Sequence, residues 1–237
     1  MTDGRVALVT GGNRGIGLAC ATALADAGHR VAVTYREGPP EDPRLLAVRC
    51  DVTDTAAVDA AFAAVEEELG PVEVLVAAAG VNRDTLLPLM KDEDFTSVLD
   101  TNLTGAFRVS RRAMRRMLRA RWGRIVLIGS VAGQIGSGGQ TNYAASKAGL
   151  AGFARALARE VGPRSITVNV VSPGPIDTDM LRAVDDKRVD QLVESVPLGR
   201  IGRADEVAAA VCYLVSDAAA YVTGAVLPVD GGLGMGS

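Results

Sequence analysis

Short β-branched runs alternate along the chain with longer alanine-rich amphipathic stretches, and this alternation restricts the fold more than any other feature. The runs fall at 6–10, 31–35, 45–50, 72–77, 124–128, 166–171 and 226–229; the helical patterns fall at 15–27, 55–69, 91–120, 143–161 and 205–215. The runs are apolar almost throughout, as strands covered on both faces are, and parallel neighbours require crossover helices. The alternation therefore implies one α/β domain: a Rossmann-type, doubly wound parallel sheet of about seven strands with helices on both faces. Asp54 before the second helical pattern and Gly70-Pro71 after it are ordinary helix punctuation. No Ser/Gly linker or repeat divides residues 1–237. The longest stretch without a regular pattern, 172–202, carries Pro173, Pro175 and Pro197 and is expected to form a substrate lid.

With 237 residues, 48% of them hydrophobic and 22% charged, the chain can bury a core without disulfides or metals. A formal charge of −3 offers no electrostatic reason for nucleic acid as the main ligand. No stretch approaches the roughly 20 apolar residues of a membrane span, and the polar start Met1-Thr2-Asp3-Gly4-Arg5 lacks the apolar core of a secretory signal. Cys20, Cys50 and Cys212 stand far apart among apolar neighbours, which fits buried packing residues in a reducing cytoplasm. One histidine and no cysteine pair leave a zinc site almost no ligands to draw on, and metal catalysis is not expected. His29 reads as a surface or capping residue, and Trp122 as a packing residue. The basic run Arg111, Arg112, Arg115, Arg116, Arg119, Arg121 and Arg124 reads as a solvated face, since no aromatics are interleaved with it.

The first run leads into Thr10-Gly11-Gly12-Asn13-Arg14-Gly15-Ile16-Gly17, which opens the first helix. Glycines there allow a tight turn and let backbone N–H groups approach a pyrophosphate at the positive end of the helix. An ordinary structural turn could use the same residues; the position after the first strand of an α/β pattern favours a dinucleotide. The acidic residue that would bind the adenosine ribose hydroxyls is missing after the second run, where Tyr35 is followed by Arg36. Arg14 supplies a second cation. Two solvated arginines are the bland alternative; two charge-assisted contacts to one 2′-phosphate favour NADPH.

Ser130 follows the fifth run, and Tyr143-Ala144-Ala145-Ser146-Lys147 opens the next helix. Tyr143 and Lys147 lie at i and i+4, so a phenol and an ammonium address one volume. A free phenol titrates near about 10, and a nearby ammonium lowers that value. Such a pair alone is common on helices; its company with Ser130 and the glycine turn is not.

These residues resemble the short-chain dehydrogenase/reductase family, and the match spans nearly the whole chain: the glycine turn, Cys50-Asp51-Val52, Asn102, Ser130, Tyr143 with Lys147, Ser172-Pro173-Gly174 and Val229-Asp230-Gly231-Gly232. Within the family, Asn102-Leu103-Thr104-Gly105-Ala106-Phe107 and Ile176-Asp177-Thr178-Asp179-Met180 are most similar to actinobacterial 3-oxoacyl-[acyl-carrier-protein] reductases. One departure is visible: the fourth strand usually ends Asn-Asn-Ala-Gly, whereas here it reads Ala77-Ala78-Ala79-Gly80, which should shift a structural hydrogen bond.

The resemblance implies a mechanism in which NADPH delivers hydride to a β-keto carbon while Tyr143 donates a proton to the carbonyl oxygen. Ser130 hydrogen-bonds that oxygen, Lys147 lowers the tyrosine pKa and holds the nicotinamide ribose, and Asn102 anchors a relay water. The resemblance also places Gly11, Asn13, Arg14, Gly15, Ile16, Gly17, Arg36 and Gly80 at the cofactor. Asp51 and Val52 are expected beside the adenine; Pro173, Gly174 and Ile176 are expected at the nicotinamide. Arg121 and Arg164 match positions that dock the acidic carrier protein beside the active-site mouth. A related ketoreductase acting on a polyketide, small ketone or CoA ester, and a nucleotide-binding regulator without catalysis, are the alternatives.

Small residues on two helical patterns, Gly105, Ala106, Ala113, Ala148, Gly149, Ala151 and Ala154, permit close helix approach. They pack either against the chain's own sheet or against symmetry mates. The resemblance implies the latter, in a homotetramer with 222 symmetry whose second two-fold pairs residues 205–229.

Overall fold

The structure is a computed structural model that describes residues 4–182 and 185–235. Seven parallel strands form one sheet in the order β3-β2-β1-β4-β5-β6-β7. They are β1 (Val6–Thr10), β2 (Arg30–Tyr35), β3 (Leu45–Arg49), β4 (Val74–Ala77), β5 (Gly123–Ile128), β6 (Ile166–Pro173) and β7 (Val226–Val229). The first three helices are α1 (Gly15–Asp26), α2 (Thr55–Glu68) and α3 (Asp92–Leu99). The remaining helices are α4 (Gly105–Ala120), α5 (Ala132–Ile135), α6 (Thr141–Val161), α7 (Asp179–Arg182), α8 (Asp186–Ser195) and α9 (Ala204–Val215).

Strand periodicity divides the core in two. Along β1, Val6 and Leu8 face the layer of α2, α4 and α6, while Ala7 and Val9 face the layer of α1 and α9. Ile125 and Leu127 of β5 join the first core, and Val126 and Ile128 the second. This two-sided burial explains why the strands read as continuous apolar runs. Burial also pushes the thiols up, Cys20 to about 12 and Cys50 to about 11, so both are inert packing groups at neutral pH.

The strand order reverses between β1 and β4, and at such a switch point the carboxyl ends of the strands open a crevice. Its two lips are tied together: Thr10 Oγ1 accepts from Ala78 N and Ala79 N, each at 3.2 Å. The Thr10 hydroxyl thus anchors the end of β4, where Ala77-Ala78 departs from the pattern usual in the resembled family.

Three expectations are corrected. The pattern over 91–120 is not one helix: α3 and α4 are joined by a π-helical turn, Asp100–Thr104, whose added residue turns Asn102 inward. The segment 172–202 is not irregular. It holds α7 and α8, with α8 capped by Asp185, whose side chain accepts from Lys187 N at 2.8 Å. Finally, much of the small-residue stripe serves the chain's own packing. Ala106, Ala113 and Ala154 are buried in the core, Ala154 to 1% exposure, and Gly105 and Gly149 admit Val52 and Leu103. Only Ala148 is exposed, with Ala151 half-buried.

Candidate active site

The loops at the carboxyl ends of β4 and β5 converge on the start of α6. Ser130 follows β5, and its Oγ accepts from Ala132 N at 3.2 Å. Tyr143 stands on the first turn of α6. Burial raises the phenol above its usual range, and hydrogen bonding from Ser130 pulls it partly back. Lys147, one turn later, is 6% exposed; its Nζ donates to Ile128 O at 2.8 Å and lies 5.5 Å from the Tyr143 ring centroid. Burial pushes this ammonium down to about 8, so it stays largely charged at neutral pH. Desolvation is thus the largest influence on the phenol, while the Lys147 ammonium, anchored on Ile128 O, stands beside its ring.

Asn102 ties the π-helical turn to the same helix. It is 2% exposed; Oδ1 accepts from Val81 N at 2.8 Å, and Nδ2 donates to Val81 O at 2.9 Å and Ser146 Oγ at 3.0 Å. Ser146 Oγ in turn donates to Tyr143 O at 2.7 Å. Gly80 leaves room where these groups meet, since a Cβ there would stand 3.3 Å from Asn102 Oδ1 and 3.5 Å from Lys147 Nζ.

The glycine turn fits a dinucleotide phosphate. A Cβ on Gly17 would stand 2.2 Å from Gly11 O, and one on Gly11 would meet Ala79 Cα at 2.9 Å, so only glycines allow this close backbone path. Gly11 and Gly15 also hold positive φ, +63 and +54. No side chain caps the first turn of α1, which leaves its N–H groups directed at the crevice. Asn13 reaches away: its Nδ2 donates to Glu37 O at 2.9 Å and Gly38 O at 3.0 Å, fastening the loop after β2. Ile16 is half-buried against the α1 side of the core.

Arg14 and Arg36 are both exposed. Arg36 lines a cleft of about 550 Å³ with Asp51, Thr53, Val81 and Asp100. The Asp51 carboxylate accepts from Thr53 N at 2.9 Å and Thr53 Oγ1 at 2.7 Å; these bonds, and more weakly Arg36 and Arg108, hold it below the usual range. Val52 is 5% exposed and packs on Gly105, so its side chain belongs to the core. Pro173 and Gly174 close β6, and Ile176 is buried beside Gly202, with which it forms an isolated parallel bridge.

Arg121 and Arg164 are brought together, Arg121 Nη2 donating to Pro163 O at 3.2 Å. They precede β5 and β6, however, and so occupy the amino-terminal pole, a strand length of roughly 20 Å from Ser130. Sequence reasoning passed over Thr10 and Ser146 as site residues. Thr10 was the findable one, a hydroxyl at the end of a buried apolar run.

Fold and site together define a short-chain dehydrogenase/reductase, and the chain belongs to that family of oxidoreductases, which work with a nicotinamide cofactor. Residues 11–234 match the family described as Enoyl-(Acyl carrier protein) reductase. Among the relatives, 3-oxoacyl-[acyl-carrier-protein] reductase MabA of Mycobacterium tuberculosis (strain ATCC 25618 / H37Rv) is 55% identical over 233 residues, covering 98% of this chain and 94% of its own. The 3-oxoacyl-[acyl-carrier-protein] reductase FabG of Escherichia coli (strain K12) is 48% identical over 240 residues, 98% of each chain. FabG of Pseudomonas aeruginosa is 47% identical over 246 residues with the same coverage. Among the described residues, no helix is long and apolar enough to cross a membrane.

Proposed function

We propose that the chain reduces a 3-oxoacyl thioester on acyl carrier protein to the 3-hydroxyacyl thioester, using NADPH, in fatty-acid elongation. The observation that carries this reading is the convergence of Ser130, the half-buried Tyr143 and the Lys147 ammonium at the mouth of the glycine crevice. When bound, the nicotinamide supplies the hydride that forms the new C–H bond at the β-keto carbon. Tyr143, a phenol that is protonated at neutral pH, protonates the carbonyl oxygen as its π pair is released. Ser130 donates to the same oxygen and stabilises charge developing there. Lys147 stabilises the phenolate left behind and holds the nicotinamide ribose; Asn102, through the second lone pair of Oδ1, steadies the water that returns the proton.

Arg14 and Arg36 hold the 2′-phosphate, since β2 ends without an acid. Asp51 and the Val52 backbone flank the adenine, and Pro173, Gly174 and Ile176 wall the nicotinamide. The segment 172–202 is the lid; its root is near the phosphate turn, where a Cβ on Gly15 would stand 3.4 Å from Thr178 Cγ2. The protein works in the cytoplasm as a homotetramer, which the outward Phe107 and Leu118 of α4, each 40% exposed, support. At their pole, Arg121 and Arg164 serve carrier docking only within an assembly that brings a neighbour's mouth to them. The test is NADPH oxidation with an acetoacetyl thioester, a crotonyl thioester and a small free ketone. The proposal requires the acetoacetyl thioester to be the preferred substrate; preference for the crotonyl thioester would contradict it.

A further inference from the structure

β7 ends in a turn, 230–235, that this mechanism does not use. Asp230 is buried, and both of its carboxylate oxygens serve the turn: Oδ1 accepts from Gly232 N and Oδ2 from Gly234 N, each at 2.9 Å. The turn touches the residues that follow Ser130. A methyl on Gly234 would stand 3.0 Å from Val131 Cγ2, 3.3 Å from Gln134 Oε1 and 2.8 Å from Asp230 Oδ2. Gln134 continues to β6, where its Nε2 donates to Ser172 Oγ at 3.2 Å, and Val131 N donates to Pro173 O at 2.9 Å. Gly174 leaves room for Asp230, since a Cβ there would meet Asp230 Cα at 2.8 Å. On its far side the turn meets the end of the lid segment: Gly231 O accepts from Leu198 N at 3.1 Å, and Gly232 packs on Pro197.

We infer that Asp230 is a positioning residue for Ser130, an inference that rests on the proposed ketoreduction. Its carboxylate keeps the turn folded, the folded turn presses Gly234 against Val131 and Gln134, and those residues fix the loop that carries the Ser130 hydroxyl. Removing the carboxylate breaks two hydrogen bonds of the turn at once, so the turn opens and its wall against Val131 is lost. A displacement of about 1 Å in a group that must meet the reacting oxygen costs up to about a hundred-fold in rate.

The test compares Asp230→Ala and Gly234→Ala with the wild type, each also in a Ser130→Ala background. Gly234→Ala retains the carboxylate and moves the turn by its methyl alone, so the test stands if Asp230→Ala does not fold. Each variant should lose about ten-fold or more in kcat on an acetoacetyl thioester, while NADPH binding by fluorescence titration and thioester KM stay within about two-fold. In the Ser130→Ala background neither should cost more than about two-fold, because a residue acting through Ser130 has nothing left to position. Losses that multiply with that of Ser130→Ala, or weakened NADPH binding at unchanged kcat, would overturn the inference alone. Ser130→Ala with wild-type turnover would overturn the proposed ketoreduction and this inference with it.

Discussion

Asn102→Ala should destabilise the chain far more than its single-residue size implies. The substitution removes three hydrogen bonds: from Val81 N to Oδ1 at 2.8 Å, and from Nδ2 to Val81 O at 2.9 Å and to Ser146 Oγ at 3.0 Å. A protein hydrogen bond contributes about 1 kcal/mol net, so the three together are worth about 3 kcal/mol. For a chain of this length, each kcal/mol moves the melting temperature by roughly 2–4 °C, which gives a drop of roughly 6–12 °C. Asn102→Asp should do no better. It can still accept from Val81 N, but it sets a carboxylate oxygen against Val81 O where a donor stood. Differential scanning calorimetry of the protein without cofactor measures both. A melting temperature for Asn102→Ala within about 2 °C of wild type would refute the reasoning, because the π-helical turn would then be held by something other than this side chain.

The remaining predictions follow from single positions. Arg36→Asp should weaken NADPH binding by about ten- to a hundred-fold and narrow the gap to NADH, since one charge-assisted contact becomes repulsion; an unchanged NADPH dissociation constant would move the phosphate to Arg14. Lys147, pushed down to about 8, is charged below that pH and neutral above it, whereas Tyr143, pushed up, stays protonated across the same window. The kcat/KM of reduction should therefore be level below about pH 8 and fall above it, and a profile flat to about pH 9.5 would contradict the role of the ammonium. Gly152 lies exposed on α6 with nothing within 4 Å of an added Cβ, so Gly152→Glu leaves the chain folded. Light scattering should report four chain masses for the wild type and fewer for this variant; an undisturbed tetramer would place the interface elsewhere.

The strands were legible because two-sided burial writes itself as unbroken β-branched runs: β1 and β7 have the boundaries that their runs predict. Helices were legible where alanine-rich periodicity is long, as in α1 and α6, and were missed where they are short or surface-bound, as in α5, α7 and α8. The π-helical turn was illegible because one inserted residue barely disturbs the periodicity of 91–120, although it decides where Asn102 points. Residue types in fixed local spacing, Tyr143 with Lys147 and the glycines 11 to 17, carried the site well. Relations across the fold did not travel in the sequence. That Lys147 addresses Ile128 O, that Val52 belongs to the core, and that Arg121 sits at the pole opposite Ser130 depend on which strand end each loop leaves. The alanine stripe misled for a related reason: Ala154 has the same identity whether it faces a symmetry mate or its own sheet.

The most direct test of the account is Tyr143→Phe, assayed by NADPH oxidation with an acetoacetyl thioester beside NADPH binding measured by fluorescence. The ring keeps its packing, and only the hydroxyl paired with Ser130 is lost. The account predicts binding of NADPH within about two-fold of wild type and turnover lower by about 10²–10⁴-fold, the usual cost of losing a positioned proton donor. Near-normal turnover, with the cofactor still bound, would contradict it.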